Sequence, residues 1–292
     1  MKLKLAAVAV ASALSFGAHA ASATLTNGGL TAVIGDNGVF DPSGAMGLNY
    51  NGVEYVNIDN RASWGVLSVG GVNSFQSTNG AWPGTKITND LGSLTSGPLF
   101  GATTTIVSSF GAISMTETVR AVTPNTLSFS WTFTNTGKEA VREVMWSFGF
   151  DPDQGGSGKN ITTNTILGTG AAAAVQAVDF YGMGRSVILR NTTGAGPVAI
   201  AGFIDEKFHG CCGPVTAAEV FAGAQAVGWG NNADQSINLG WNLGTLSANG
   251  VAGDTVTIGA HLVFAVPEPE TYAMFLAGLG LMGAVVRRRT RA

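Results

Sequence analysis

Residues 127–150 read LSFSWTFTNTGKEAVREVMWSFGF. Leu127, Phe129, Trp131 and Phe133 alternate with Ser128, Ser130, Thr132 and Thr134. Successive side chains of a strand point to opposite faces. This run therefore has one large apolar face and one face of short hydroxyls. Asn135-Thr136-Gly137-Lys138 is a turn signal. The run after it sets Val144, Trp146, Phe148 and Phe150 on one side. The spacing predicts two strands joined as a hairpin, with an aromatic face turned to a core.

The same period extends outward in both directions. Thr103 to Ser109 and Ile113 to Val122 predict a strand pair turning at Phe110-Gly111-Ala112. In the second strand Ile113, Met115 and Val119 share a face with Glu117, so the inward acid calls for a strand edge or a partner. Val256, Ile258, Ala260, Leu262 and Phe264 alternate in a final strand. Further strand signals fall near 23–35, 53–58, 64–69, 174–181, 186–190, 198–204 and 236–243. One segment favours a helix. Thr216-Ala217-Ala218-Glu219 is a capping box, opening a helix expected to reach about Ala226 and to stop before Gly228. Many short strands at this spacing predict an all-β, antiparallel two-sheet sandwich with one short helix. No internal repeat is visible. Residues 151–160 and 249–254 read as loops, and 266–271 as a neck.

Both ends differ from this body. Lys2 and Lys4, the apolar run Leu5 to Gly17, and Ala18-His19-Ala20 form a secretory signal with a small-x-small cleavage site. At the other end, Tyr272 to Val286 carries no charge and is followed by Arg287, Arg288, Arg289 and Arg291. Fifteen residues span about 22 Å as a helix, short of a ~30 Å bilayer core. Tyr272 at the interface and snorkelling arginine stems extend the reach. The expectation is a signal helix over 1–20, a sandwich domain over 21–266, and a membrane helix within 267–292 whose arginines stay cytoplasmic. Gly278, Gly280 and Gly283 spell G-x-G-x-x-G, but no strand precedes them and no acid follows, so the match to a dinucleotide fingerprint is accidental.

Without its two ends, the body keeps 9 basic and 16 acidic residues, a net charge of −7. Such a domain has no electrostatic reason to bind nucleic acid or anionic lipid. Charged residues make up 11% of the chain, against a usual ~25%, and Gly, Ser, Thr and Asn take their place. That profile suits an exported β-protein.

Pro267-Glu268-Pro269, a short helix with a Gly-Leu-Gly-Leu core, and Arg287-Arg288-Arg289 together resemble the PEP-CTERM sorting signal. The resemblance implies a Gram-negative bacterium that makes extracellular polysaccharide. It also implies processing by exosortase, a membrane transpeptidase-like protease that reads the Pro-Glu-Pro element. The protein would be an inner-membrane-anchored precursor, then pass to the outer envelope or the medium. The tail is sometimes named after ice-binding proteins, which assigns no activity to this body. More loosely, the segments TFTNTG, DPDQ, GCCG and INLGWNLGTL resemble uncharacterised exported sandwich proteins with the same tail, and imply no defined activity.

Two local features carry chemistry. In KFHGCCGPV, Cys211 and Cys212 are adjacent and are the only cysteines. An oxidising compartment favours a bridge between them, and Gly210, Gly213 and Pro214 suit the distorted turn it needs. A metal site with His209 and free or intermolecular thiols are the alternatives. In FDPDQGGSGKN, Asp151, Asp153 and Gln154 crowd a Gly-rich turn. Calcium loops use this spacing with a bidentate acid at the twelfth position. Here Gly156 fits the sixth position, but Thr162 stands at the twelfth. Calcium at Asp151 and Asp153 therefore requires oxygens from elsewhere, and a plain Asx-bonded turn is the alternative. No other cofactor is called for.

Enzyme signatures are missing. There is no G-x-S-x-G, no H-E-x-x-H and no P-loop, since Gly158-Lys159 is followed by Asn160. The expectation is a non-enzymatic structural or binding protein held in extracellular polysaccharide. The alternatives are a carbohydrate-active or mutarotase-like enzyme using Asp179, Asp205 and Glu206, and an ice- or crystal-binding face of Thr103-Thr104-Thr105 with Ser128, Ser130, Thr132 and Thr134.

Overall fold

The computed structural model describes residues 22–35, 38–40, 47–56, 62–77, 85–86, 88–90, 103–154, 160–194 and 196–265, with residues 277, 278 and 282 of the tail. The chain opens with β1 (Ala23–Asn27), β2 (Leu30–Ile34), β3 (Leu48–Tyr50) and β4 (Val53–Glu54). Then come β5 (Ser63–Val69), β6 (Val72–Ser77), β7 (Thr85–Lys86), β8 (Thr88–Asp90) and β9 (Thr103–Phe110). β10 (Ile113–Thr123), β11 (Thr126–Asn135), β12 (Val141–Phe150), β13 (Thr162–Gly168), β14 (Ala174–Asp179) and β15 (Ser186–Asn191) form the middle. β16 (Ala199–Ile204), the helix α1 (Ala217–Gly223), β17 (Gly230–Ala233), β18 (Ile237–Leu246) and β19 (Thr255–Ala265) close it.

Two large sheets make the sandwich. One has the order β17-β13-β14-β15-β19-β11-β10-β9-β8, the other β16-β18-β12-β5-β6-β7. All pairs are antiparallel except the short contact of β6 with β7. The first four strands form a third sheet of their own, β1-β2-β3-β4. The body is thus all-β with one α-helix among the described residues up to 265, and it has three sheets where the sequence predicts two. The run 23–35 is two strands, because Gly28 takes a positive φ of 58° and turns the chain back.

The stretch 127–150 is not a hairpin. β11 pairs with β10 and β19 in one sheet, whereas β12 pairs with β18 and β5 in the other. The reason lies in the two aromatic faces themselves. Side by side they would need a third layer to cover both. Set opposite each other, they cover one another. Phe129 lies 4.7 Å from Phe148, Trp131 5.2 Å from Phe148, and Phe133 5.4 Å from Trp146. Each such side chain is fully buried, a contribution of about 1.5–3 kcal/mol apiece in transfer terms. Buried Asn135 holds the crossing. Its Nδ2 donates to Glu139 O at 2.7 Å and Ser247 O at 2.8 Å, and its Oδ1 accepts from Gly137 N at 2.8 Å.

The pair around Gly111 is a hairpin as expected, with β9 and β10 in continuous register. The last strand, β19, runs between β11 and β15. α1 begins at the expected capping box, where Glu219 N donates to Thr216 Oγ1 and Thr216 N donates to Glu219 Oε2. It ends at Gly223, short of Ala226. Gln225 leaves the helix line and pairs both ways with the backbone of Ile204 at the edge strand β16. α1 covers the outer face of the six-stranded sheet, which gives β12 a second buried side. There Trp64, Phe203, Val215 and Val220 form a smaller core. Gly240 is required under the helix, since a Cβ would meet Val220 at 2.9 Å.

The strands at 72–77, 162–168 and 230–233 carry no clear alternation and go unread in the sequence. The signal helix expected over 1–20 and the sorting motif, Pro267, Glu268, Pro269, Arg287, Arg288 and Arg289, lie outside the described residues. Among the described residues, no helix is long and apolar enough to cross a membrane.

Candidate functional site

β12 ends at Phe150, and the chain drops at once into Asp151-Pro152-Asp153-Gln154. Asp151 N donates to Ala62 O at 2.9 Å, and Asp153 N to Asp151 O at 3.1 Å. Gln154 is fixed from both sides. Its Nε2 donates to Ala177 O at 2.9 Å, and its own carbonyl accepts from Arg185 Nη1 at 2.9 Å. β13 begins nearby at Thr162, which pairs with Ala233 of β17. The next residue is Asp234, held by a hydrogen bond from Asn160 Nδ2. The topology thereby brings Asp234 to Asp151 and Asp153, with carboxylate oxygens of all three within 4.8 Å of one another.

Asp151 is 1% exposed and Asp153 5%. Burial raises the Asp151 pKa well above its ordinary value, and the charges of Asp153 and Asp234 raise it further. Asp234 is raised by burial too, partly offset by the Asn160 bond. Asp151 Oδ1, Asp234 Oδ1 and Gln154 Oε1 are buried and have no hydrogen-bond partner.

The Cys211–Cys212 segment lies over this cluster. The two cysteines form a disulfide between neighbours, as one sequence reading predicts. This removes the alternative of thiolates beside His209, whose Nε2 instead lies 3.3 Å from Glu219 Oε1. Cys212 Sγ approaches Asp151 Oδ2 at 3.8 Å. Asp205 builds the turn that leads into the disulfide. Its oxygens accept from the N–H groups of Lys207, Phe208 and His209 at 3.2, 2.8 and 2.8 Å. Beyond the disulfide, Ser147 Oγ donates to Val215 O at 2.6 Å and ties the chain to β12.

The other acids singled out by sequence behave differently. Asp179 accepts from Tyr181 N at 3.2 Å and Met183 N at 2.7 Å, and so caps a turn. Asp205 is saturated as described, and Glu206 is exposed. The three do not gather within the 4.8 Å that unites the Asp151 group. Glu117 sits inside the sandwich at 1% exposure, on an interior strand and without an ion partner. Burial pushes its pKa up to about 8, while Trp131 and Gln76 beside it favour ionisation weakly. Neither Trp131 Nε1 nor Gln76 Nε2 closes a standard hydrogen bond. Of the sequence expectations, the strand edge is corrected, since β10 lies between β11 and β9; Trp131 and Gln76 are the acid's neighbours, and burial holds it neutral.

The hydroxyl face is broader than one strand. Ser130, Thr132 and Thr134 lie in register with Thr118, Thr116 and Ser114 of β10, and Thr132 and Thr134 with Thr257 and Thr255 of β19, whereas Ser128 stands between Arg120 and His261. Thr132 and Thr257 hydroxyls meet at 2.9 Å, and Thr134 and Thr255 at 3.2 Å. The side chains of Thr103, Thr104 and Thr105 lie outside the described residues. A separate groove of about 500 Å³ lies beside the start of α1, lined in part by Ser68, Asn73, Arg142, Met145, Thr216 and Asn242.

A family model described as the PEP-CTERM protein-sorting motif matches residues 265–289. The chain carries a PEP-CTERM sorting signal. The motif marks an exported protein that is processed at the membrane by exosortase, a membrane protease. No curated protein matches this PEP-CTERM chain. Among solved structures it is similar to an Escherichia coli K12 protein assigned as an aldose 1-epimerase, at 10% identity over 84% of this chain and 99% of that one, TM-score 0.43. It is also similar to heparinase III, the BT4657 gene product, at 9% identity over 68% of this chain, TM-score 0.39. The chain spans 23% of that protein's length. Heparan sulfate lyase HepC of Pedobacter heparinus matches at 10% identity over 82% of this chain and 30% of the lyase, TM-score 0.36. No activity is carried over from these likenesses.

Proposed function

We propose that this is a non-enzymatic structural or binding protein, delivered by its C-terminal signal to the outer envelope or the medium and held there in extracellular polysaccharide. The observation that carries the reading is the sorting motif at residues 265–289. The body agrees with it. Its sheet offers a patch of hydroxyls at Ser114, Thr116, Thr118, Ser130, Thr132, Thr134, Thr255 and Thr257, bordered by Arg120, His261 and Arg190, and hydroxyls donate and accept hydrogen bonds as sugar hydroxyls do. Asp179 and Asp205 spend their oxygens on backbone amides, which supports a structural rather than a catalytic part for both.

The test is to express the chain with and without residues 267–292 in an exosortase-bearing host. The intact chain should move from the membrane to the outer envelope or medium with loss of its tail mass, and the truncated one should not follow the same route. Equal distribution of the two forms would defeat the proposal. A glycan panel then reads the binding half.

A further inference from the structure

We propose that Asp151, Asp153 and Asp234 form a calcium-type divalent-cation site beneath the Cys211–Cys212 disulfide. Acidic clusters on a surface mean little, but this one is buried. Asp151 is 1% exposed, its carboxylate lies within 4.8 Å of the other two, and its Oδ1 has no hydrogen-bond partner. Gln154, also 1% exposed, is pinned at its amide nitrogen and its carbonyl, yet its Oε1 is left without a donor. A buried charge without compensation is expensive, and proteins pair it, hydrogen-bond it or give it a metal.

The same chain shows the usual remedy at another buried acid: Asp205 is 0% exposed and accepts three backbone N–H bonds. Asp151 receives nothing comparable. Beside it stand the carboxylates of Asp153 and Asp234 and the sulfurs of the disulfide, which has no S–H to donate, and a cation satisfies the oxygens. Calcium binds oxygens at roughly 2.3–2.6 Å, so two ligands on opposite sides of one ion stand about 5 Å apart. A 4.8 Å spread therefore accepts the ion without moving the backbone. All the donors are hard oxygens, and both sulfurs are tied up in the disulfide, which favours calcium over zinc. Asp234 supplies the acid that the loop sequence lacks at Thr162. The raised pKa of Asp151 describes the same frustration with no ion present.

The site does not depend on the sorting reading, and its test is independent. Metal-stripped, full-length protein is titrated with calcium chloride by calorimetry at pH 7, and its melting temperature is followed in parallel. One calcium per chain is expected, with a Kd in the range of extracellular modules, about 10⁻⁴–10⁻³ M or tighter, and a melting temperature that rises with calcium. Asp234→Asn, at the half-buried corner, should keep the fold by circular dichroism and weaken binding at least tenfold. Asp153→Asn should do the same. Absence of heat and of any melting shift up to about 10 mM calcium overturns the proposal. So does calcium binding that both variants leave unchanged, because the ion would then sit elsewhere.

Discussion

Glu117 and Asp151 are both acids with 1% of their surface exposed, and the fold treats them in opposite ways. Glu117 is alone. It projects from β10 into the aromatic interior, with Trp131 and Gln76 for neighbours, and keeps its proton up to about pH 8. Asp151 is in company, with two more carboxylates at its side and a disulfide above it. A lone buried acid solves its problem by staying neutral. Three acids gathered together have a second solution, a shared cation. The lesson is that burial alone does not mark a ligand site. What marks it is burial together with several acceptors, of which Asp151 Oδ1, Asp234 Oδ1 and Gln154 Oε1 have no donor.

The largest effect should come from the interior acid. Glu117→Ala opens a cavity among packed rings and should cost about 2–4 kcal/mol in urea unfolding. Glu117→Gln keeps the shape and should cost far less at pH 7, because the wild-type group is already neutral there. The pH dependence gives the sharper reading. The folded pKa of about 8 lies above the ordinary 4.5, so the folded state holds this proton more tightly than the unfolded one. Its stabilisation is complete below about pH 4.5 and fades as pH rises through 8, with a slope of up to about 1.4 kcal/mol per pH unit. Glu117→Gln should remove that slope between pH 5 and 9. A slope that persists in the variant would mean that Glu117 is not the group, and the contrast with Asp151 would fail.

Much of this contrast was legible in the sequence, and one part was not. Alternation alone placed Glu117 on the inward face with Ile113, Met115 and Val119, because period two is a local property. It also identified both aromatic faces of residues 127–150, but not that they oppose each other. Which sheet a strand joins is decided by what covers its apolar face, and that partner is remote in sequence. The same limit hid Asp234. Asp151 and Asp153 announce themselves by spacing, but Asp234 reaches them only because β17 pairs with β13. The capping box at Thr216 and the adjacent cysteines were plain, since each is complete within four residues. The neutral state of Glu117 could not be read either, since it depends on what surrounds β10 on all sides.

The helix α1, on the outer face of the six-stranded sheet, should be a smaller contributor than the interior. Thr216→Ala removes the side chain that accepts from Glu219 N, and cap losses of this kind cost about 1 kcal/mol. The change should appear in the urea midpoint and as faster amide exchange in residues 216–220. β10, β11 and β12 should keep their protection. A loss of several kcal/mol would show that α1 belongs to the same cooperative core as Glu117, and that the two regions are not separable.

The smallest effect on stability should come from the disulfide itself. A cross-link stabilises mainly by shortening the loop that the unfolded chain must close, and here the loop is two adjacent residues, so the entropic gain is minimal. Reduction, or Cys211→Ser with Cys212→Ser, should change unfolding free energy by less than about 1 kcal/mol. The local consequence should be larger. Cys212 Sγ stands 3.8 Å from Asp151 Oδ2 and packs against the smaller core with Trp64 and Phe203. Without the bridge, water gains access to Asp151, and amide exchange should quicken from His209 to Val215. The turn at Lys207 and Phe208 should hold, because Asp205 ties those amides independently of the sulfurs. If reduction instead lowers global stability by several kcal/mol while exchange at 209–215 stays unchanged, the disulfide is a staple of the fold and not a lid over the carboxylates.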